Sequence, residues 1–282
     1  MKRKVLFALF NALASLPFSC LYLIADVVSF VIYHFVGYRK KVVRNNLVSS
    51  FPEKSLKEIK GIEKKFYRYL GDQIFETIKT LKISDKELKK RVTVSNYELV
   101  NESLEGGKNA VLLMGHYGNW EWAQEITRYF IPTAFMVSIY HPLSDKVFDD
   151  LFIKLRSHWH AHIVPMAKAP RILLNKQNMP WVCGFIADAW TWQKNDDNWI
   201  DFLNHKTWFI TGPEEIGNKT GAEYFYLEMN HKSRGHYDIV FHKIEPEEIK
   251  ETYPYTRQFW KEFEKTIQRA PSYWLWSHKR WK

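Results

Sequence analysis

A histidine and a carboxylate five positions apart, His116 and Glu121, sit in the run Val-Leu-Leu-Met-Gly-His-Tyr-Gly-Asn-Trp-Glu-Trp at 111–122. An imidazole oriented by a carboxylate can take the proton from a hydroxyl, which is what moving an acyl group onto that hydroxyl requires. Five residues of continuous helix would turn the two side chains well apart, so the spacing suits a strand-to-helix corner. The expectation is that His116 ends a strand, Asn119 caps the following helix and Glu121 lies in its first turn.

The chain carries its own control for this spacing. A second His-x4-acid pair, His242 and Glu247, lies in His-Lys-Ile-Glu-Pro-Glu. That stretch is charged and broken by proline, and reads as a strand end running into a solvated turn, so no chemistry is expected of it.

The first pair needs elements to hold it. From about residue 91 short apolar runs alternate with amphipathic ones. Strands are expected over 109–115, 133–140, 161–165, 180–187, 222–229 and 236–242, and helices over 119–130, 144–160, 213–219 and 254–269. The alternation predicts an α/β fold whose mixed sheet is covered by helices, with sites at the carboxyl ends of its strands. Two further polar residues fall near such ends. Arg156, late on its helix, is either a capping cation or a group that holds phosphate or a developing oxyanion. Asp188 closes the apolar run 180–187, as a turn-former or as part of a site built at the sheet edge.

The N-terminal third differs. Residues 1–91 carry 19 Lys+Arg against 8 Asp+Glu, whereas 92–282 carry 22 against 23. Residues 5–25 have no charged side chain, and a second apolar stretch runs from Val27 to Tyr38 after Asp26. The length could cross a bilayer, although Pro17 and Asp26 disfavour a straight span, and two half-inserted helices are the alternative. A cleaved signal peptide is disfavoured by the second stretch and by the lack of a small-x-small cleavage site. From Pro52 a stripe of Ile59, Ile62, Phe66, Leu70, Ile74 and Ile78 recurs at helical steps, with Lys57, Lys60, Lys64, Lys65 and Arg68 on or near the other face. We therefore divide the chain into a membrane anchor (1–38), a basic helical segment (39–90) and an α/β domain (91–282). The basic excess points to an anionic surface, either membrane or an acidic carrier protein. Nucleic acid is not expected, since no nucleic-acid module accompanies the charge. Cys20 and Cys183 lie far apart in apolar runs, which gives neither a disulfide framework nor a zinc spacing.

Tryptophans crowd two places: Trp190, Trp192, Trp199 and Trp208 after the 180–187 run, and Trp260, Trp274, Trp276 and Trp281 near the C-terminus. Aromatics beside Lys and Arg suit a lipid–water boundary or a wall for acyl chains and sugar rings.

Gly-His-Tyr-Gly-Asn-Trp-Glu resembles the His-x4-acid block of the bacterial lipid A late acyltransferases, a branch of the lysophospholipid acyltransferase-like enzymes. The likeness extends to Lys40, Val43, Asn46, Leu47, Phe51, Pro52 and Glu53, where the family more often has arginine at the position of Lys40. It also takes in the Asp188 block and the closing Tyr-Trp-Leu-Trp-Ser-His-Lys-Arg-Trp-Lys. It spans essentially the whole chain. The resemblance implies transfer of a fatty acyl group from acyl carrier protein, or another acyl thioester, to a hydroxyl of an anionic lipid A precursor at the cytoplasmic face of the bacterial inner membrane. His116 would be the base and Glu121 its orienting partner, with Asn119, Arg156 and Asp188 binding substrate. No metal or organic cofactor is implied. An aminolipid or another glycolipid is the alternative acceptor, and a lipid-binding scaffold on the same fold is the rival class.

Overall fold

The computed structural model describes residues 2–157, 161–175, 179–189, 191, 194–246 and 251–281. It opens with five helices: α1 (Lys2–Ser15), α2 (Phe18–Val31), α3 (Lys40–Ser50), α4 (Leu56–Lys79) and α5 (Asp85–Arg91). A π-helical turn, Ile32–Val36, extends α2, giving one apolar helix, Phe18–Val36, that is long enough to cross a membrane. The helix α4 begins at Leu56 rather than at Pro52 because Ser55 and Glu58 form a reciprocal capping box there.

Then follow β1 (Val92–Ser95), α6 (Glu98–Glu105), β2 (Ala110–Met114), a 3₁₀ turn (Trp122–Arg128), β3 (Phe135–Tyr140), α7 (Lys146–Arg156), β4 (His162–Pro165), α8 (Ala169–Asn175) and β5 (Trp181–Ile186). A hairpin of β6 (Trp199–Phe202) and β7 (His205–Trp208) precedes α9 (Gly212–Thr220), β8 (Glu223–Ser233), β9 (His236–Lys243) and α10 (Pro254–Arg269). The seven-stranded sheet runs β1-β9-β8-β2-β5-β3-β4. Every pairing is parallel except β8 with β9, so the fold is α/β with a mixed central sheet, as the alternation predicts.

All six expected strands are present. The sequence reading misses β1, a short strand at the sheet edge, and the β6–β7 hairpin within the tryptophan-rich segment. Of the helix expected at 144–160, residues 158–160 lie outside the described residues. The helix expected at 119–130 is a shorter 3₁₀ turn.

The strand β2 is wholly buried, β5 mostly so and β8 over 224–229, and two cores sandwich them. One joins Val43, Leu47, Ile59, Phe66 and Tyr69 of α3 and α4 to Val111, Cys183 and Phe263, so the basic helices pack against the sheet itself. Burying such side chains stabilises by roughly 1.5–3 kcal/mol each, and it fixes α4 beside the carboxyl end of β2.

Candidate active site

His116 lies two residues beyond the end of β2, and Asp188 two beyond the end of β5. These strands are parallel neighbours in a register that pairs Met114 with Ile186. The backbone pairing continues past the strand, with Ala187 N–H donating to Met114 C=O at 2.7 Å. The same register therefore sets His116 against Asp188, and the imidazole Nδ1 is 2.7 Å from Asp188 Oδ1. With Asp188 as its acceptor, Nδ1 carries the proton and Nε2 is left basic. Nε2 has no hydrogen-bond partner among the described residues, and the His116 side chain is 30 % exposed.

Asp188 is 1 % exposed. Burial alone would raise its pKa, but His116, Arg280 and the indole N–H of Trp274 together hold it well below the usual carboxylate range. Trp274 Nε1 donates to Oδ2 at 2.8 Å, and Arg280 Nη2 lies 3.5 Å from the same oxygen. A permanently ionised carboxylate behind an imidazole is what a general base needs, since it stabilises the imidazolium that forms.

The expected pairing of His116 with Glu121 is corrected by this geometry. No hydrogen bond joins the two among the described residues. Glu121 turns the other way and receives Arg156 in a forked contact, Nε to Oε2 at 3.2 Å and Nη2 to Oε1 at 2.8 Å. It stands immediately before the 3₁₀ turn rather than inside a helical first turn. The physical reason is the left-handed Gly118 (φ 58°), which redirects the chain between the two residues. A Cβ at Gly118 would also lie 2.8 Å from Met229 Cγ, and one at Gly115 would lie 2.0 Å from the Phe263 ring.

The N-cap position of the turn is Glu121 rather than the expected Asn119, although Asn119 Oδ1 accepts from Trp122 N–H at 3.1 Å. Asn119 is fully buried and faces the protein rather than a ligand. Its amide donates to Glu76 Oε2 at 2.7 Å, and Gln73 donates to its Oδ1 at 3.3 Å. Glu76, buried in α4, also accepts from Tyr22 and Tyr237. Desolvation raises its pKa to about 7 even against three donors. Tyr69, also from α4, donates to Gly118 C=O at 2.6 Å. The loop 116–121 is thus clamped by α4, a contribution that Glu76 and Tyr69 gave no local sign of in the sequence.

The C-terminal block closes the other side. Leu275 N–H donates to His116 C=O and Gly118 N–H to Tyr273 C=O. Asn46 of α3 donates to the carbonyls of Trp276 and His278, each at 3.0 Å. The separated motifs that carried the resemblance are one hydrogen-bonded unit.

Trp120 packs edge-on against His116, with ring centroids 5.2 Å apart, and walls a mainly apolar cavity of about 80 Å³. Glu121, Arg156, Val137, Ile139, Gly184, Ile186 and Leu227 line it. Arg156, in the last turn of α7, therefore faces a cavity.

His242 meets Glu228 at 3.0 Å on the β8–β9 ribbon, where Thr266 and Arg269 also bind that carboxylate. Glu247 lies outside the described residues. No group of three His, Cys, Asp or Glu suited to a metal occurs among the described residues.

The family model for bacterial lipid A biosynthesis acyltransferases matches residues 5–282. The chain belongs to this family. A comparison with curated proteins found no match. As an acyltransferase of lipid A type, it places His116 at the carboxyl edge of the sheet, against Asp188 and Trp120.

Proposed function

We propose that the protein transfers a fatty acyl chain from an acyl thioester, carried by acyl carrier protein, to a hydroxyl of a lipid A precursor or related envelope lipid. The observation that supports this most is the ionised Asp188 behind His116, next to the apolar cavity. His116 Nε2 takes the proton of the acceptor hydroxyl as its oxygen attacks the thioester carbonyl. Asp188 stabilises the imidazolium. The tetrahedral intermediate, its oxyanion held by Arg156 or backbone amides, collapses to the ester and expels a thiolate, which recovers the proton from His116. Asp188 thus takes the orienting role that the resemblance gives to Glu121, while Glu121 fixes Arg156. The cavity suits the first part of the acyl chain.

The exposed Lys57, Lys60, Lys64 and Lys65 of α4 offer an acidic carrier a complementary face. Membrane association is supported by the outward row Leu23, Val27, Phe30, Val31 and Phe35 of the apolar helix, with Val5 and Leu9 of α1 also exposed. Half-insertion fits better than a span. Asp26, beside the middle of Phe18–Val36, binds Arg234 and Arg68, and the Arg68 side chain is 62 % exposed. A span would carry that exposed pair to mid-bilayer, where charge is costly.

The test is an acyl-transfer assay with purified protein, acyl carrier protein thioester and candidate envelope lipids, read by lipid mass spectrometry. The expected result is one acylated lipid whose formation His116→Ala abolishes. Binding of lipid without transfer to any acceptor would instead support the scaffold reading.

A further inference from the structure

Arg280, whose Nη2 lies 3.5 Å from Asp188 Oδ2, lines a second cavity of about 210 Å³. Its walls are Lys194, His205, Lys206, Thr207, Trp208, Arg280 and Trp281, so three cationic side chains converge and no carboxylate among the described residues lines it. The Arg280 side chain is 4 % exposed, and its Nε and Nη1 have no hydrogen-bond partner among the described residues. Its one ionic contact among the described residues, to Asp188, spans 3.5 Å and shares that carboxylate with His116 and Trp274. A guanidinium buried with unmade hydrogen bonds is costly, and a bound oxyanion relieves that cost.

The two lysines are set above aromatic rings. Lys206 Nζ lies 4.2 Å from the Trp199 ring and 5.4 Å from that of Trp208, and Lys194 Nζ lies 4.6 Å from the Trp208 ring. Lys206 has no ion-pair partner among the described residues, although Asp201 is its cross-strand neighbour. The hairpin itself is anchored to the rest of the domain, since Trp281 Nε1 donates to Thr207 Oγ1 at 2.9 Å and His205 stacks on the Trp281 ring.

We propose that this cavity is a phosphate-binding site, in which Arg280, Lys194 and Lys206 hold a phosphate group of one of the substrates against the tryptophan wall. Planar and point cations together match the several oxygens of a phosphate. Two substrates of the proposed reaction bring one: the headgroup of the acceptor lipid, and the phosphopantetheine arm of a carrier-linked donor. Arg280 connects the site to Asp188, and Asp188 connects to His116. The choice between those sources rests on the acyl-transfer reading; the phosphate site itself does not.

Inorganic pyrophosphate is the first probe, titrated calorimetrically into the full-length protein. Binding is expected, and Lys194→Ala/Lys206→Ala should weaken it by about tenfold per lost charged hydrogen bond. No binding, or equal binding to the double variant with its thermal melt unchanged, overturns the proposal. Competition then names the source. Displacement by phosphopantetheine but not by pantetheine assigns the site to the donor. Displacement by a detergent-dispersed phosphorylated glucosamine lipid, but not by its dephosphorylated form, assigns it to the acceptor. Displacement by neither would leave an inorganic-anion site only and overturn the assignment to a substrate. Pyrophosphate binding in a protein without transferase activity would sink the function and spare the site.

Discussion

The imidazole of His116 and the carboxylate of Asp188, 72 positions apart in the chain, meet at 2.7 Å because β2 and β5 are parallel neighbours in register. Asp188→Asn would leave the shape but remove the charge that fixes the Nδ1 proton. Turnover should fall by about 10²–10⁴-fold for this variant and for His116→Ala. His242→Ala should be nearly silent. Equal losses from His242→Ala and His116→Ala in a steady-state assay would refute the assignment.

Arg156 and Glu121 form a largely buried ion pair, with side chains 19 % and 11 % exposed. Arg156→Ala leaves Glu121 charged and unpaired, and should cost about 3 kcal/mol in urea unfolding. Removing both charges should cost less than removing Arg156 alone. If the double variant is as unstable as the sum of the two singles, the pair is not coupled.

The cavity beside Trp120 should measure the acyl chain. A Cβ built on Gly184, which lines it, meets no atom within 4 Å. Gly184→Val should therefore fold and shift preference to shorter chains, at roughly fourfold in kcat/KM per displaced methylene from about 0.8 kcal/mol each. Comparing a series of acyl thioesters checks this; an unchanged chain-length profile would place the acyl chain elsewhere.

Glu76 holds the catalytic loop through Asn119, and desolvation raises its pKa to about 7. A carboxyl whose folded pKa exceeds its unfolded value favours folding at low pH, and that contribution is lost as pH rises through about 7. Glu76→Gln should flatten this fall in stability between about pH 4.5 and 7 while keeping most activity. Glu76→Ala orphans three donors, two of them buried, and should lose at least about 2 kcal/mol. Thermal melts across pH separate the two; a Glu76→Gln curve parallel to wild type would contradict the buried-acid account.

If the apolar helix lies in one leaflet, both its ends face the same compartment. In a Cys20→Ser background, with Cys183 buried, Ser15→Cys and Lys41→Cys should both react with a membrane-impermeant maleimide on sealed inverted vesicles. Labelling of only one until the vesicles are opened would show a span instead.

Much of the fold was legible because its signals are local. Alternation of apolar residues marked all six strands named from the sequence, and the glycine corner marked His116 as a residue leaving a strand. Asp188 was legible as a strand-end residue for the same reason. Their partnership was not, because it depends on which strands are neighbours: β2 lies between β8 and β5, an order that no local periodicity encodes. Glu121 looked like the partner of His116 by nearness in sequence, yet the left-handed Gly118 turns it toward Arg156. Glu76 reads in sequence as one more polar residue on a helix, and only burial against Tyr22, Asn119 and Tyr237 makes it a clamp. Arg280 likewise gains its meaning from desolvation beside Asp188. Sequence determined which side chains stand at element ends; the packing of non-local elements decided which of them meet, because hydrogen bonding and desolvation act over ångströms of space.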